Sequence, residues 1–160
     1  MAQDIFIKIN GIDGESMDAA HKNEIEVLHW NWEILQESNM HMGSGGGSGK
    51  ATVKDLTFTH YVDRSSPNLM KFCLTGKHIP EAVLVVRKAG GNPLEYLKIT
   101  MTDVVITTVN PSGSSDQERV KERIALSFAK VKQEYTVQNQ QGGSGGAVTA
   151  AYDIKQAKEG

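Results

Sequence analysis

The chain has one cysteine, four prolines, and aromatic residues at only 6% of its 160 positions. With Cys73 alone, no intramolecular disulfide can form, which excludes the small secreted domains that rely on cross-links. Long hydrophobic runs are missing as well. Ala82 to Val86 is the longest aliphatic stretch and Arg87 ends it, against the roughly 20 apolar residues that a membrane span requires. Nor is there an excess of positive charge. Lys plus Arg total 17 and Asp plus Glu 19, a net charge of −2. That balance argues against a dedicated DNA or RNA binder, whose affinity depends on releasing phosphate counterions. It also gives no reason to expect membrane insertion or an anionic membrane surface. The opening residues, Met1-Ala2-Gln3-Asp4-Ile5-Phe6-Ile7-Lys8, lack a basic region followed by an apolar stretch. The expectation is therefore no cleaved Sec leader, and folding in the cytoplasm before any export.

What is present is alternation. A chain of this length forms one domain with a core of its own, here 1–160, and its dominant period is two rather than 3.6. Ile5, Ile7 and Ile9 share one face of a first strand. Glu24–Glu37 reads as one long strand whose apolar phase shifts at Val27-Leu28, as a β-bulge would shift it. Thr52–Tyr61, Glu81–Lys88, Leu94–Met101 and Val104–Val109 are further strands, with a break or bulge expected near Thr102-Asp103. Glu118–Val137 fits helical and alternating spacing equally well. One helix is expected, about Pro67–Thr75, with Ser65 or Ser66 as its cap, Pro67 in its first turn and Gly76 past its end. Glycine gathers in two segments of linker composition, at about 38–50 and 138–147, read as flexible loops. Roughly eight short strands with one helix predict an all-β barrel or sandwich.

Reactive constellations are scarce. Gly43–Lys50 superficially suggests a phosphate loop, yet Ser44 stands where the first glycine belongs. Ala51 replaces the hydroxyl that would hold magnesium. The five histidines never pair at i, i+4, and one cysteine cannot build a thiolate site, so no metal and no cofactor is expected. Cys73 with His78 could suggest a nucleophile and base, but Cys73 falls on the apolar face of the helix, where a buried thiol is inert. No catalytic residue is assigned, and an enzyme is not expected. Trp30-Asn31-Trp32 is the sharpest local feature. Both tryptophans point to the core side of a strand, which leaves Asn31 facing outward. Core candidates are Ile5, Ile7, Trp30, Trp32, Phe58, Leu69 and Cys73.

Several stretches in order resemble the haemolysin-coregulated protein (Hcp) family. They are Asp4-Ile5-Phe6-Ile7-Lys8-Ile9, Gly14-Glu15-Ser16, Val27-Leu28-His29-Trp30-Asn31-Trp32 and Met40-His41-Met42-Gly43. They continue with Ser66-Pro67-Asn68-Leu69-Met70, Gly76-Lys77-His78, Val86-Arg87-Lys88-Ala89-Gly90-Gly91 and Glu95-Tyr96-Leu97. The resemblance implies a compact β-barrel of two packed antiparallel sheets with a helix at its side, and strand rather than helix over Glu118–Val137. It implies a tube subunit of type VI secretion: a homohexameric ring that stacks into a tube, inside a contractile sheath and beneath a spike protein. It further implies effector proteins carried in the ring channel, and release from the cell by the machine itself. On this footing Asn31 is the channel-facing candidate. The ring-stacking candidates are Met40, His41, Gly43, Gly45, Gly46, Gly47, Gly49, Gly142, Gly143 and Gly145. The alternative reading is a monomeric β-barrel that binds a ligand inside its barrel.

Overall fold

The computed structural model describes residues 3–38, 48–90, 93–139, 141 and 143–160. Strands dominate, as the alternation predicts: β1 (Gln3–Ile9), β2 (Ile25–Glu26), β3 (His29–Asn31), β4 (Ile34–Ser38), β5 (Ser48–Val53) and β6 (Leu56–Tyr61) precede the helix α1 (Ser66–Thr75). After it come β7 (Ile79–Lys88), β8 (Glu95–Ser112), β9 (Lys121–Gln138), β10 (Ser144–Asp153) and β11 (Lys158–Glu159). Pairing is antiparallel and nearly circular. It runs β1–β7–β8–β9–β6–β3, and the chain itself returns from β3 to β2, which pairs with β1. The all-β fold with one flanking helix is thus what the chain forms, as one nine-stranded sheet that curls round the core and a separate two-stranded sheet of β4 and β5.

The closing corner corrects one expectation. Glu24–Glu37 is not a single bulged strand but three short ones, each with a different partner. Val27 N–H donates to the Ile5 carbonyl at 2.9 Å, and Leu28 N–H donates to the Thr59 carbonyl at 2.8 Å. Apolar phase shifts at 27–28 because the chain changes neighbours there, from β1 to β6. β4 then leaves the barrel and pairs only with β5, from Ile34↔Val53 to Ser38↔Ser48.

Two further details differ from the sequence reading. β8 continues through Thr102-Asp103, where Asp103 takes φ 56°, a conformation that aspartate tolerates better than most residues. The register instead slips between Ile106 and Thr108, so Thr107 is the extra residue of the bulge. The glycine-rich loops are also shorter than expected. Ser48, Gly49 and Lys50 belong to β5, and Gly145 belongs to β10. Met40, His41, Gly43, Gly45, Gly46, Gly47 and Gly142 lie outside the described residues.

Alternating apolar side chains from each wall fill the barrel, among them Ile7, Phe58, Leu84, Ile106 and Ile124, all essentially inaccessible to solvent. Leu69 of α1 closes one side. Of the expected core, Ile7, Phe58 and Leu69 are fully buried. Ile5, Trp30, Trp32 and Cys73 are only half-buried and pack against the core from its margin. Position explains this. β3 has β6 as its sole strand partner, and the Trp32 indole N–H donates to the Lys54 carbonyl at 2.9 Å. The helix begins and ends as its sequence demands, with Pro67 in the first turn and Gly76 left-handed at φ 64°. Neither serine side chain caps it, however. Asp63 turns the entry, its carboxylate accepting from the Ser65 N–H at 2.8 Å and from the Ser65 hydroxyl.

Candidate functional surface

Asn31 stands where the sequence places it. It is exposed on β3, while its neighbour Trp30 turns inward beside Phe58 and Ile124. Register aligns it with Thr57, Ala125 and Thr108 across four strands, an uncharged row in which Asn31 is exposed, Thr57 and Thr108 are half-buried and Ala125 is buried. The next row outward is His29–Thr59–Arg123–Asn110, and beyond that lies Tyr61–Lys121–Ser112. An uncharged face can lie against another molecule without first desolvating ions.

Arg87 of β7 makes a clasp that the sequence did not announce, at the rim of a cleft it shares with Tyr61 and Arg119. Its guanidinium donates two bonds to the Asp18 carboxylate, at 3.0 and 2.8 Å, and a third to Asp4 at 3.0 Å. It also lies 5.1 Å from the Phe6 ring centroid. The hydrogen bond from Arg87 holds the Asp18 carboxyl well below its usual range, at about 2, and Asp18 in turn raises Arg87. Phe6 stacks on His21 at 4.4 Å, and the two ring nitrogens of His21 face Glu24 at 3.0 Å and Glu95 at 2.7 Å. Together these contacts pin the polar segment 11–23 onto the barrel wall. Gly14 is required beneath it, because a Cβ there would stand 2.5 Å from the Glu24 carbonyl oxygen. A cleft of about 570 Å³ opens beside the clasp, bordered by Glu15, Glu26, Leu28, Tyr61 and Arg119.

One buried cluster has the ingredients of acid–base chemistry and the wrong geometry for it. His60 Nε2 meets Glu122 at 2.8 Å, and the Ser66 hydroxyl donates to the same carboxylate oxygen at 3.0 Å. Activation would need the serine hydrogen-bonded to the histidine and open to a substrate. Here the hydroxyl is spent on the carboxylate, and His60, Ser66 and Glu122 are all buried. The cluster ties α1 to β6 and β9. Among the described residues no hydrogen bond joins His78 to Cys73, and His78 Nδ1 is engaged by Asp103 at 2.7 Å. That contact also lowers the Asp103 carboxyl.

A filled, closed barrel of antiparallel strands with one flanking helix defines an all-β barrel class of protein. The comparisons make the class specific. A family profile described as type VI secretion system effector, Hcp, matches residues 6–135. Protein hcp1 of Pseudomonas aeruginosa is 48% identical over 158 residues, covering 98% of each chain. The crystal structure of Hcp1 from Salmonella typhimurium superposes with a TM-score of 0.84 at 60% identity, covering 99% of each chain. A type VI secretion effector from Yersinia pestis does so with a TM-score of 0.77 at 46% identity, over 94% of this chain and 100% of that one. The chain belongs to the Hcp family of type VI secretion proteins. Among the described residues, no helix is long and apolar enough to cross a membrane.

Proposed function

We propose that copies of this chain close into a hexameric ring, that rings stack into the tube of a type VI secretion system, and that the Asn31 face lines the channel and holds effector proteins. The observation that carries the reading is a surplus of strand outside the barrel. β4 and the outer half of β10 are exposed along their whole length and the outer half of β9 along most of it, with Ile34 55%, Leu35 46%, Val137 43% and Val148 66% accessible. Exposed strands bearing apolar side chains bury them against a neighbour. A contact between two different surfaces of identical subunits closes into a ring when its rotation allows. Contacts between ring faces then extend the assembly along one axis. The segment 39–47, which joins β4 to β5, carries the stacking candidates Met40 to Gly47, and Gly142, Gly143 and Gly145 flank the start of β10. Contractile sheath, spike and effector proteins are the partners in this reading, with assembly in the cytoplasm before ejection. Filling of the barrel interior by side chains weighs against the alternative of a ligand pocket inside a monomer.

Negative-stain electron microscopy and native mass spectrometry of the purified protein test the reading. Rings of six times 17.5 kDa are expected, and a stable monomer at high concentration would overturn it. Replacing Asn31 with a bulky charged residue should spare the rings and lower retention of a cognate effector. Shortening the glycine segment 43–49 should leave the ring and weaken stacking.

A further inference from the structure

Beside the uncharged Asn31 row the sheet face is cationic, and this gives the face a preference. Lys121 and Arg123 are both exposed and fall on the outward side of β9, and Arg119, also exposed, lies in the bend just before the strand. Tyr61 lies among them, with the Arg119 guanidinium 4.0 Å and the Lys121 ammonium 6.0 Å from its ring centroid. Glu122 cannot neutralise the strip from above, because it points inward to His60 and Ser66. Arg119 borders the cleft that also holds Glu15, Glu26 and Asp63, so its charge is shared with that cleft. Lys121 and Arg123 make no ion pair among the described residues. Glu118 and Asp116 belong to the turn that precedes the strip.

The nearest carboxylate toward the other end of the face is Asp55, which accepts from the Thr107 hydroxyl. It lies four residues along the chain from Thr59, the partner of Arg123. That separation is about 13 Å of extended strand, beyond the screening length of roughly 8 Å at physiological salt. Asp55 is therefore screened from both cations, whereas on the cleft side Asp63 lies two residues from Tyr61, the partner of Lys121, so Arg123 is the less opposed of the two.

We propose that Lys121 and Arg123 select acidic protein cargo, engaging a carboxylate-rich segment on the surface of a protein held against the Asn31 face. This builds on the channel reading above and names the class of cargo. Charge complementarity carries it: two exposed cations without an ion pair among the described residues stand beside an uncharged row, which attracts carboxylates there and orients what bears them. A nucleic acid is the weaker candidate, since two or three cations release few counterions.

A fluorescein-labelled ten-residue polyglutamate peptide serves as probe, with a neutral Gly/Ser peptide and a thymidine oligonucleotide as comparators, read by fluorescence anisotropy. Lys121→Gln/Arg123→Gln should weaken polyglutamate binding by about tenfold, in line with the loss of two exposed charge pairs. Lys121→Arg, and the control Lys22→Gln/Lys71→Gln on other surfaces, should leave binding unchanged. Equal loss in the control, no loss in the double variant, or tighter binding of the oligonucleotide than of polyglutamate would overturn the proposal. Native mass spectra of the same samples separate the two readings. Monomers that still bind polyglutamate through Lys121 and Arg123 would uphold the acid preference and remove the channel.

Discussion

The barrel and the strands that leave it obey different rules within one chain. Inside the barrel every strand spends one face on the core, and Phe58, Leu84 and Ile106 are inaccessible. In β4 and in the outer hairpin of β9 and β10 both faces meet solvent, yet the residues remain apolar or β-prone, such as Leu35, Tyr135 and Val148. Strand structure there is held by pairing with one neighbour and by continuity with a strand anchored elsewhere. An isolated two-stranded hairpin is marginal in water. The difference teaches that the barrel is the folding unit, while the outlying strands are supported by it and have their burial still to gain.

The largest test of that division is Phe58→Ala. It empties a filled interior and should cost about 3–5 kcal/mol, read from urea or thermal unfolding. A cost near zero would mean the barrel is not the source of stability. Next is Gly14→Ala, where the added methyl meets a backbone oxygen that cannot rotate away. A loss of about 1–3 kcal/mol is expected from that overpacking, with the segment 11–23 becoming more sensitive to protease.

Acid sharpens the comparison further, because the clasp belongs to the barrel wall alone. Asp18 has its folded-state pKa lowered to about 2 from an ordinary 3.8 by Arg87. Its contribution is complete above the ordinary value and disappears as pH falls through about 2. Asp18→Asn should therefore flatten the loss of stability between about pH 4 and pH 2, measured as melting midpoints along that range. An unchanged slope would remove the clasp from the stability of the wall. The smallest expected effect is Val148→Ser, which should change unfolding of the single chain by less than about 0.5 kcal/mol. Sedimentation should nonetheless show weaker self-association. A large loss of single-chain stability would mean that the outer hairpin is part of the folding unit after all.

Much of the barrel was legible because alternation marks a half-buried strand directly, as with Ile5, Ile7 and Ile9 in β1 or Leu56, Phe58 and His60 in β6. The outward aspect of Asn31 followed from the same rule. Glu118–Val137 was ambiguous by periodicity, since its outer half has no buried face to impose a period of two. The corner at Val27-Leu28 was visible as a phase shift, but a change of partner and a bulge leave the same trace in one dimension. Arg87, His21 and Gly14 escaped because their partners lie far away or on another segment: Asp18 is 69 residues from Arg87. The cationic strip was written in the sequence as Arg119, Lys121 and Arg123. It became readable only once 121–138 was known to be strand, which sends Lys121 and Arg123 to one side, with Arg119 in the bend before it.

β8 and β9 are each 18 residues long, roughly 60 Å of extended chain, and they stay paired from the barrel into the outer hairpin. A push along their length meets many backbone hydrogen bonds loaded together in shear, instead of one at a time as in unzipping. The two strands tie the outer hairpin to the wall along their whole paired length, so parting one from the other requires many bonds to fail together.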